Sequence, residues 1–248
     1  MNFATYIERS ALQAGVTIAC AVPWLGLAVW HSRTRRWGLL SFVACLVVLD
    51  AALGEIPRID GFAHLHWSWQ ECLLSAAWPF LLVALTSGIS LKSIGVTLRL
   101  RSGWLKPSIV ALLVALAVPI VFFFLGARRK LSGEGWAFLL TMPGLAEELV
   151  FRGVYQSLLN RVFGKPWRFA NAEFGWGLII TAIFFAGFNG LVVVDPQLHP
   201  RIVLSAAIAP LLLSFVSGWV RERTDSVWPS VFGHNLSNLV IPAVSLLA

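Results

Sequence analysis

Residues Glu147-Glu148-Leu149-Val150-Phe151-Arg152-Gly153 bring two adjacent carboxylates and a guanidinium into a segment apolar enough for a bilayer. An ionised group at membrane depth costs roughly 3 kcal/mol on insertion scales, so three within six residues imply a use. On a helix, positions i and i+4 share a face. Glu148 and Arg152 have that spacing and can pair, which lowers the cost of burial and orients the helix. Glu147 points about 100° away and is left as a carboxylate able to take a proton, the property of a general base. The simpler reading, that all three only brace a bundle, leaves the second carboxylate without a purpose. Further along, Ser230-Val231-Phe232-Gly233-His234-Asn235-Leu236-Ser237-Asn238 sets His234 and Asn238 on one helical stripe. These two can bind polar substrate groups or hold a water, or they can serve as interhelical hydrogen-bond glue. Between the two clusters, Ile183-Phe184-Phe185-Ala186-Gly187-Phe188-Asn189-Gly190 carries one strongly polar side chain, Asn189.

The elements that must position these groups are membrane helices. The chain has 248 residues, 58% hydrophobic and 12% charged, with mean hydropathy +0.77. A soluble domain has about 25% charged residues, so a soluble enzyme is excluded. Segments of about 20 apolar residues span a bilayer. Eight stretches qualify, near 11–30, 37–53, 71–91, 108–126, 136–160, 174–194, 201–220 and 227–247. The second is short and contains Asp50. The expected fold class is all-α, a polytopic transmembrane helical bundle of about eight membrane helices. No internal repeat or inserted soluble domain is visible. No cleavable leader is evident in Met1–Ser10, and the apolar run that follows is long enough to remain as an anchor.

The net charge of +7 comes from basic residues in short loops, which points to lipid contact and orientation, not to nucleic acid. With the first loop in the cytoplasm, that side holds Arg33, Arg35, Arg36, Lys92, Arg99, Arg101, Lys106, Arg161, Lys165, Arg168, Arg221 and Arg223. The other side holds Arg9, Arg58, Arg128, Arg129, Lys130 and Arg201. The bias is twelve to six, and both termini lie outside the cytoplasm. Residues 92–106 mix basic and apolar side chains and read either as an interfacial segment or as a plain basic loop. His64 and His66 offer a metal pair without a third ligand, while Trp67 and Trp69 read as an interfacial anchor. Cys20, Cys45 and Cys72 lie in apolar runs without ligand spacing and are expected as buried free thiols.

Three patterns in order, a glutamate pair with arginine four residues on, an aromatic followed by a polar residue four on, and His234 with Asn238, resemble the CAAX protease and bacteriocin-processing (CPBP) family of glutamate-type intramembrane proteases. Pro143-Gly144-Leu145-Ala146-Glu147-Glu148 through Gly153 carries the first motif. Ser226-Val227-Trp228-Pro229 leading into His234 and Asn238 carries the third, and Ile94-Gly95-Val96 is similar to the start of the family's shared region. The resemblance covers about residues 91–248 as a CPBP-like intramembrane protease core, with residues 1–90 as N-terminal transmembrane helices in one integrated membrane domain. In the second motif the family has histidine where Asn189 stands, four residues after Phe185. Asparagine can hold a water but cannot take its proton.

The resemblance implies an intramembrane endopeptidase that hydrolyses a peptide bond of a membrane-associated protein or peptide. Glu147 would activate water, Asn189 would orient it, His234 and Asn238 would stabilise the oxyanion, and Glu148 with Arg152 would fix the motif helix. No cofactor is expected, and no metal, since Glu147, His234 and two asparagines make a poor zinc site; the basic loops and short connectors point to a lipid environment in a bacterial inner (plasma) membrane. The alternative is a catalytically impaired relative acting as a membrane binding, immunity or assembly factor. Acyl transfer lacks a placed Ser or Cys nucleophile, and a transporter would show an inverted repeat.

Overall fold

The computed structural model describes residues 3–54, 56, 59–194 and 197–247; Arg58 lies outside them. The protein is an all-α bundle. α1 (Phe3–Ser32) and α2 (Trp37–Gly54) form an antiparallel hairpin, followed by α3 (Trp69–Leu85) and α4 (Leu105–Phe124). α5 (Gly133–Glu148), a π-helical segment (Leu149–Tyr155) and α6 (Gln156–Phe163) run on without a break as the central helix. α7 (Trp176–Ala186) also ends in a π turn (Gly187–Leu191), and α8 (Leu204–Thr224) and α9 (Trp228–Ser245) complete the bundle. Two hairpins join these helices. β1 (Trp167–Phe169) pairs with β2 (Ala172–Phe174) through Ala170 and Asn171, both at positive φ, and β3 (Val192–Val194) pairs with β4 (Pro200–Ile202). Paired positive-φ residues match the right-handed twist of a two-residue hairpin.

The helices follow the expected segments closely, with two differences. The third ends at Leu85, because Gly88 adopts φ +85° and Ser90 and Ser93 close a turn through mutual backbone-to-hydroxyl bonds. The sixth gives way at Val192 to a strand. Four described helices are long and apolar enough to cross a membrane: Ala11–Ser32, Trp37–Gly54, Leu105–Phe124 and Leu204–Thr224. Only 17–28% of each apolar window is buried within the protein, so most of these surfaces need an apolar solvent. Leu113, Phe124 and Leu85 project outward on the same grounds. Cys45 lies on such an outer face and not in the core; Cys20 and Cys72 are half-buried, and all three thiols are free.

The central helix divides the bundle. α1, α2 and α3 lie on one side of it, and α4, α8 and α9 on the other, with α7 bridging α1 and α8. Its π segment is buried along its whole length. Phe151 and Tyr155 meet edge-to-face, and both contact the aromatic rings of α7. The core therefore joins residues of the N-terminal hairpin, such as Ala21 and Val47, to Val154, Leu158 and Phe184.

Candidate active site

Glu148 and Arg152 pair as their spacing predicts. Arg152 Nε donates to Glu148 Oε2 at 3.2 Å, and both side chains are fully enclosed. Arg152 Nη2 also donates to Ser214 Oγ on α8 at 2.6 Å. The guanidinium stands 5.3 Å from the centre of the Phe185 ring. The second Glu148 oxygen, Oε1, lies 2.9 Å from His234 Nδ1. Glu148 thus bridges α5 to α9, in addition to bracing its own helix. With the hydrogen on Nδ1 donated to Glu148, the ring turns Nε2 toward Glu147, whose Oε2 is 4.0 Å away. A carboxylate holding one imidazole nitrogen fixes both tautomer and ring orientation.

Glu147, one residue earlier and on another face, keeps about a quarter of its side chain accessible (28%). Its Oε2 accepts from Asn189 Nδ2 at 3.3 Å. The same Asn189 amide donates to the Phe185 carbonyl at 3.2 Å, which leaves its Oδ1 for a water. The loop conformation explains this reach. Asn189 departs from helical geometry (φ −104°, ψ 19°) and Gly190 adopts φ +151°, so the chain leaves the helix with the Asn189 side chain turned to Glu147. Asn238 lines the same cavity as His234, one turn further along α9.

Two cavities meet here. The first, about 370 Å³, lies between α4, α8 and α9; its walls are mainly apolar, with scattered serines, and Glu148, His234, Asn189 and Asn238 face it, while Arg129 stands at one end. The second, about 520 Å³, lies between α1, α2, α3 and the central helix, and Arg9, Gln13, Asp50, Glu71, Ser75 and Glu147 make it polar. Asn189 lines both. Asp50 is held there by Trp78 Nε1 at 2.9 Å and by Ser75 Oγ at 3.3 Å.

Asn235 carries a positioning contact that its sequence context does not reveal. Its Oδ1 accepts from Gly144 N at 2.7 Å, and its amide donates to the Thr141 carbonyl at 3.3 Å. This fastens α9 to α5 around Pro143, where the absent N–H opens the helix ladder. A buried network of Gln156, Asn160 and Glu222, closed by Lys165, ties α6 to α8 and spans more than 50 positions of sequence. His66, by contrast, spends its ring on Glu134, and Trp67 and Trp69 pack on Phe138. Among the described residues no group of three or more His, Cys, Asp or Glu converges as metal ligands.

The helical bundle thus brings a carboxylate, an imidazole and carboxamides together at the junction of a polar and an apolar cavity. Residues 132–240 match the family model described as type II CAAX prenyl endopeptidase, Rce1-like. This segment holds every residue of the site, and over it the chain is similar to that family, in keeping with the resemblance to CAAX proteases. No curated protein and no solved structure matches the chain.

Proposed function

We propose that the chain is an intramembrane endopeptidase of the CAAX-protease-like type, cleaving a peptide bond of a membrane-associated protein or peptide with water activated by Glu147. The observation that carries the reading is the approach of Glu147, His234 and Asn189 at the junction of the two cavities, with Glu147 and His234 Nε2 4.0 Å apart. Asn189 Oδ1 and Glu147 hold the water. Glu147 takes a proton as the oxygen attacks the carbonyl carbon, and passes it to the amine when the C–N bond breaks. Asn238 through its amide, and His234 through Nε2–H when both ring nitrogens carry hydrogen, face the oxygen on which charge develops, where a fixed donor stabilises the transition state more than the ground state. Glu148 and Arg152 keep the imidazole and the helix in register. The apolar cavity suits the hydrophobic part of the substrate and the polar cavity its peptide. In this division residues 91–248 form the protease core and residues 1–90 supply the far wall of the polar cavity. Lipid surrounds the whole, in a bacterial inner membrane.

The test is a mass-spectrometric comparison of membrane-protein termini in cells carrying the wild type or Glu147→Gln. Termini that depend on Glu147 are expected, and their absence at equal protein abundance would sink the proposal. One observation favours a second reading. Asn189 cannot relay a proton, which suits an impaired relative acting as a binding, immunity or assembly factor. Under that reading Glu147→Gln leaves the biological phenotype unchanged.

A further inference from the structure

The two ends of the bundle differ in charge, and the polar cavity belongs to one of them. Contacts between loops define the ends. At the first, Arg36 Nη1 donates to the Arg161 carbonyl at 2.5 Å, and Arg161 Nη1 donates to the Gly88 carbonyl at 2.8 Å. At the same end Arg101 pairs with Asp225 at 3.0 Å, and Arg223 Nη2 donates to Gly103 O at 2.8 Å. At the second end Gln13 donates to the Val192 carbonyl at 2.9 Å, His66 pairs with Glu134 at 3.1 Å, and Arg129 N donates to Ser245 Oγ at 3.2 Å. Loops assigned to one side by charge alone therefore come together in space. Twelve of the nineteen lysines and arginines belong to the first end. Short loops with that excess stay in the cytoplasm. The 92–104 segment at this end exposes Leu98 beside Arg99 and Arg101, a pairing suited to an anionic leaflet.

The polar cavity leads the other way. From Glu147, midway along the central helix, it runs past Asp50 and Ser75 to Arg9, Gly54 and the exposed Glu71. Those three lie at the start of α1, the end of α2 and the start of α3, all at the second end. Toward the first end, Glu147 is followed by the buried residues Leu149–Tyr155 and by Leu158 and Leu159.

We propose that the polar cavity is the path by which water and peptide reach Glu147, and that it opens on the membrane face opposite the cytoplasm. The substrates are then membrane-anchored chains whose scissile bond lies on that outer side. The assignment of peptide to this path rests on the protease reading; the direction of opening does not. In a variant with Cys20, Cys45 and Cys72 replaced by serine, a single cysteine is introduced as Ala51→Cys or Gly54→Cys in the cavity, or as Ser102→Cys in the basic loop. A membrane-impermeant maleimide is added to intact spheroplasts or to inverted vesicles. The cavity cysteines are expected to label in spheroplasts and to lose labelling in inverted vesicles, and Ser102→Cys is expected to do the reverse. Cavity labelling from the cytoplasmic side, or labelling of Ser102→Cys from outside, overturns the proposal. Failure of both cavity cysteines to label in folded protein overturns it as well. Repeating the labelling with Glu147→Gln present separates this result from proteolysis, because topology survives the loss of the carboxylate.

Discussion

Arg152 is the residue whose removal separates structure from chemistry most cleanly. It holds Glu148 and Ser214 with no solvent access. Arg152→Ala removes the guanidinium from Glu148 and leaves it the His234 ring among the described residues, and breaking a buried ion pair costs about 3–5 kcal/mol. The expected outcome is a clearly lower thermal midpoint in detergent, with Arg152→Lys intermediate, because a lysine is a point donor and cannot reach both partners as a fork does. Wild-type stability of Arg152→Ala would remove the pair from the account of folding. Asn189→His tests the other side of the site. If the surrounding groups form a competent protease site, an imidazole here adds a base beside Glu147 and raises the cleavage rate, measured on a substrate found by the terminal comparison. An unchanged rate would leave asparagine as sufficient for the water. The intrahelical pair was legible because i and i+4 need only helical geometry. The bond from His234 to Glu148 spans 86 positions, and no local pattern predicts it.

At the scale of elements, two glycines decide whether the helices present these groups correctly. Gly144 lies where α5 meets α9, and a methyl group there would stand 2.6 Å from both Asn235 Oδ1 and the Val231 carbonyl. Gly144→Ala must push α9 outward, at a cost of about 1–3 kcal/mol for overpacking, and His234 moves with it. Gly190 is different in kind. At φ +151° a side chain is strained, and its Cβ would meet the Ala206 carbonyl at 2.7 Å. Gly190→Ala is expected to cost about 1–3 kcal/mol and to withdraw Asn189 from Glu147. Thermal unfolding and cleavage assays on both variants check this; full activity in Gly190→Ala would show that the Asn189–Glu147 contact is dispensable. The π segments at 149–155 and 187–191 flank the site on two helices, a common location for such widened turns. Hydropathy gave no sign of them. It reports where a helix is apolar, and not how many residues each turn holds.

For the whole molecule, apolar runs made the helices readable from sequence, and charge bias grouped loops that do meet at one end of the bundle. The cavities were not readable, since each is built from helices far apart in the chain: Asp50 and Glu71 meet Glu147 only in the folded bundle. At the second end, the α2–α3 connection is joined to the central helix by Glu134, in the first turn of α5. Its carboxylate accepts from the backbone N–H groups of His66 and Trp67, from the Trp69 indole at 3.1 Å, and pairs with the His66 ring. Partial burial opposes ionisation here, but these hydrogen bonds outweigh it and hold the carboxyl below its ordinary value of 4.5. A group with a lowered folded-state pKa adds stability above its unfolded value and loses it as pH falls through the folded one. Wild type should therefore exceed Glu134→Gln in thermal midpoint at neutral pH, with the gap closing as pH drops below 4.5. An unfolding series in detergent across that range measures the gap directly. A gap that persists in acid would mean that Glu134 joins the two halves through its shape and not through its charge.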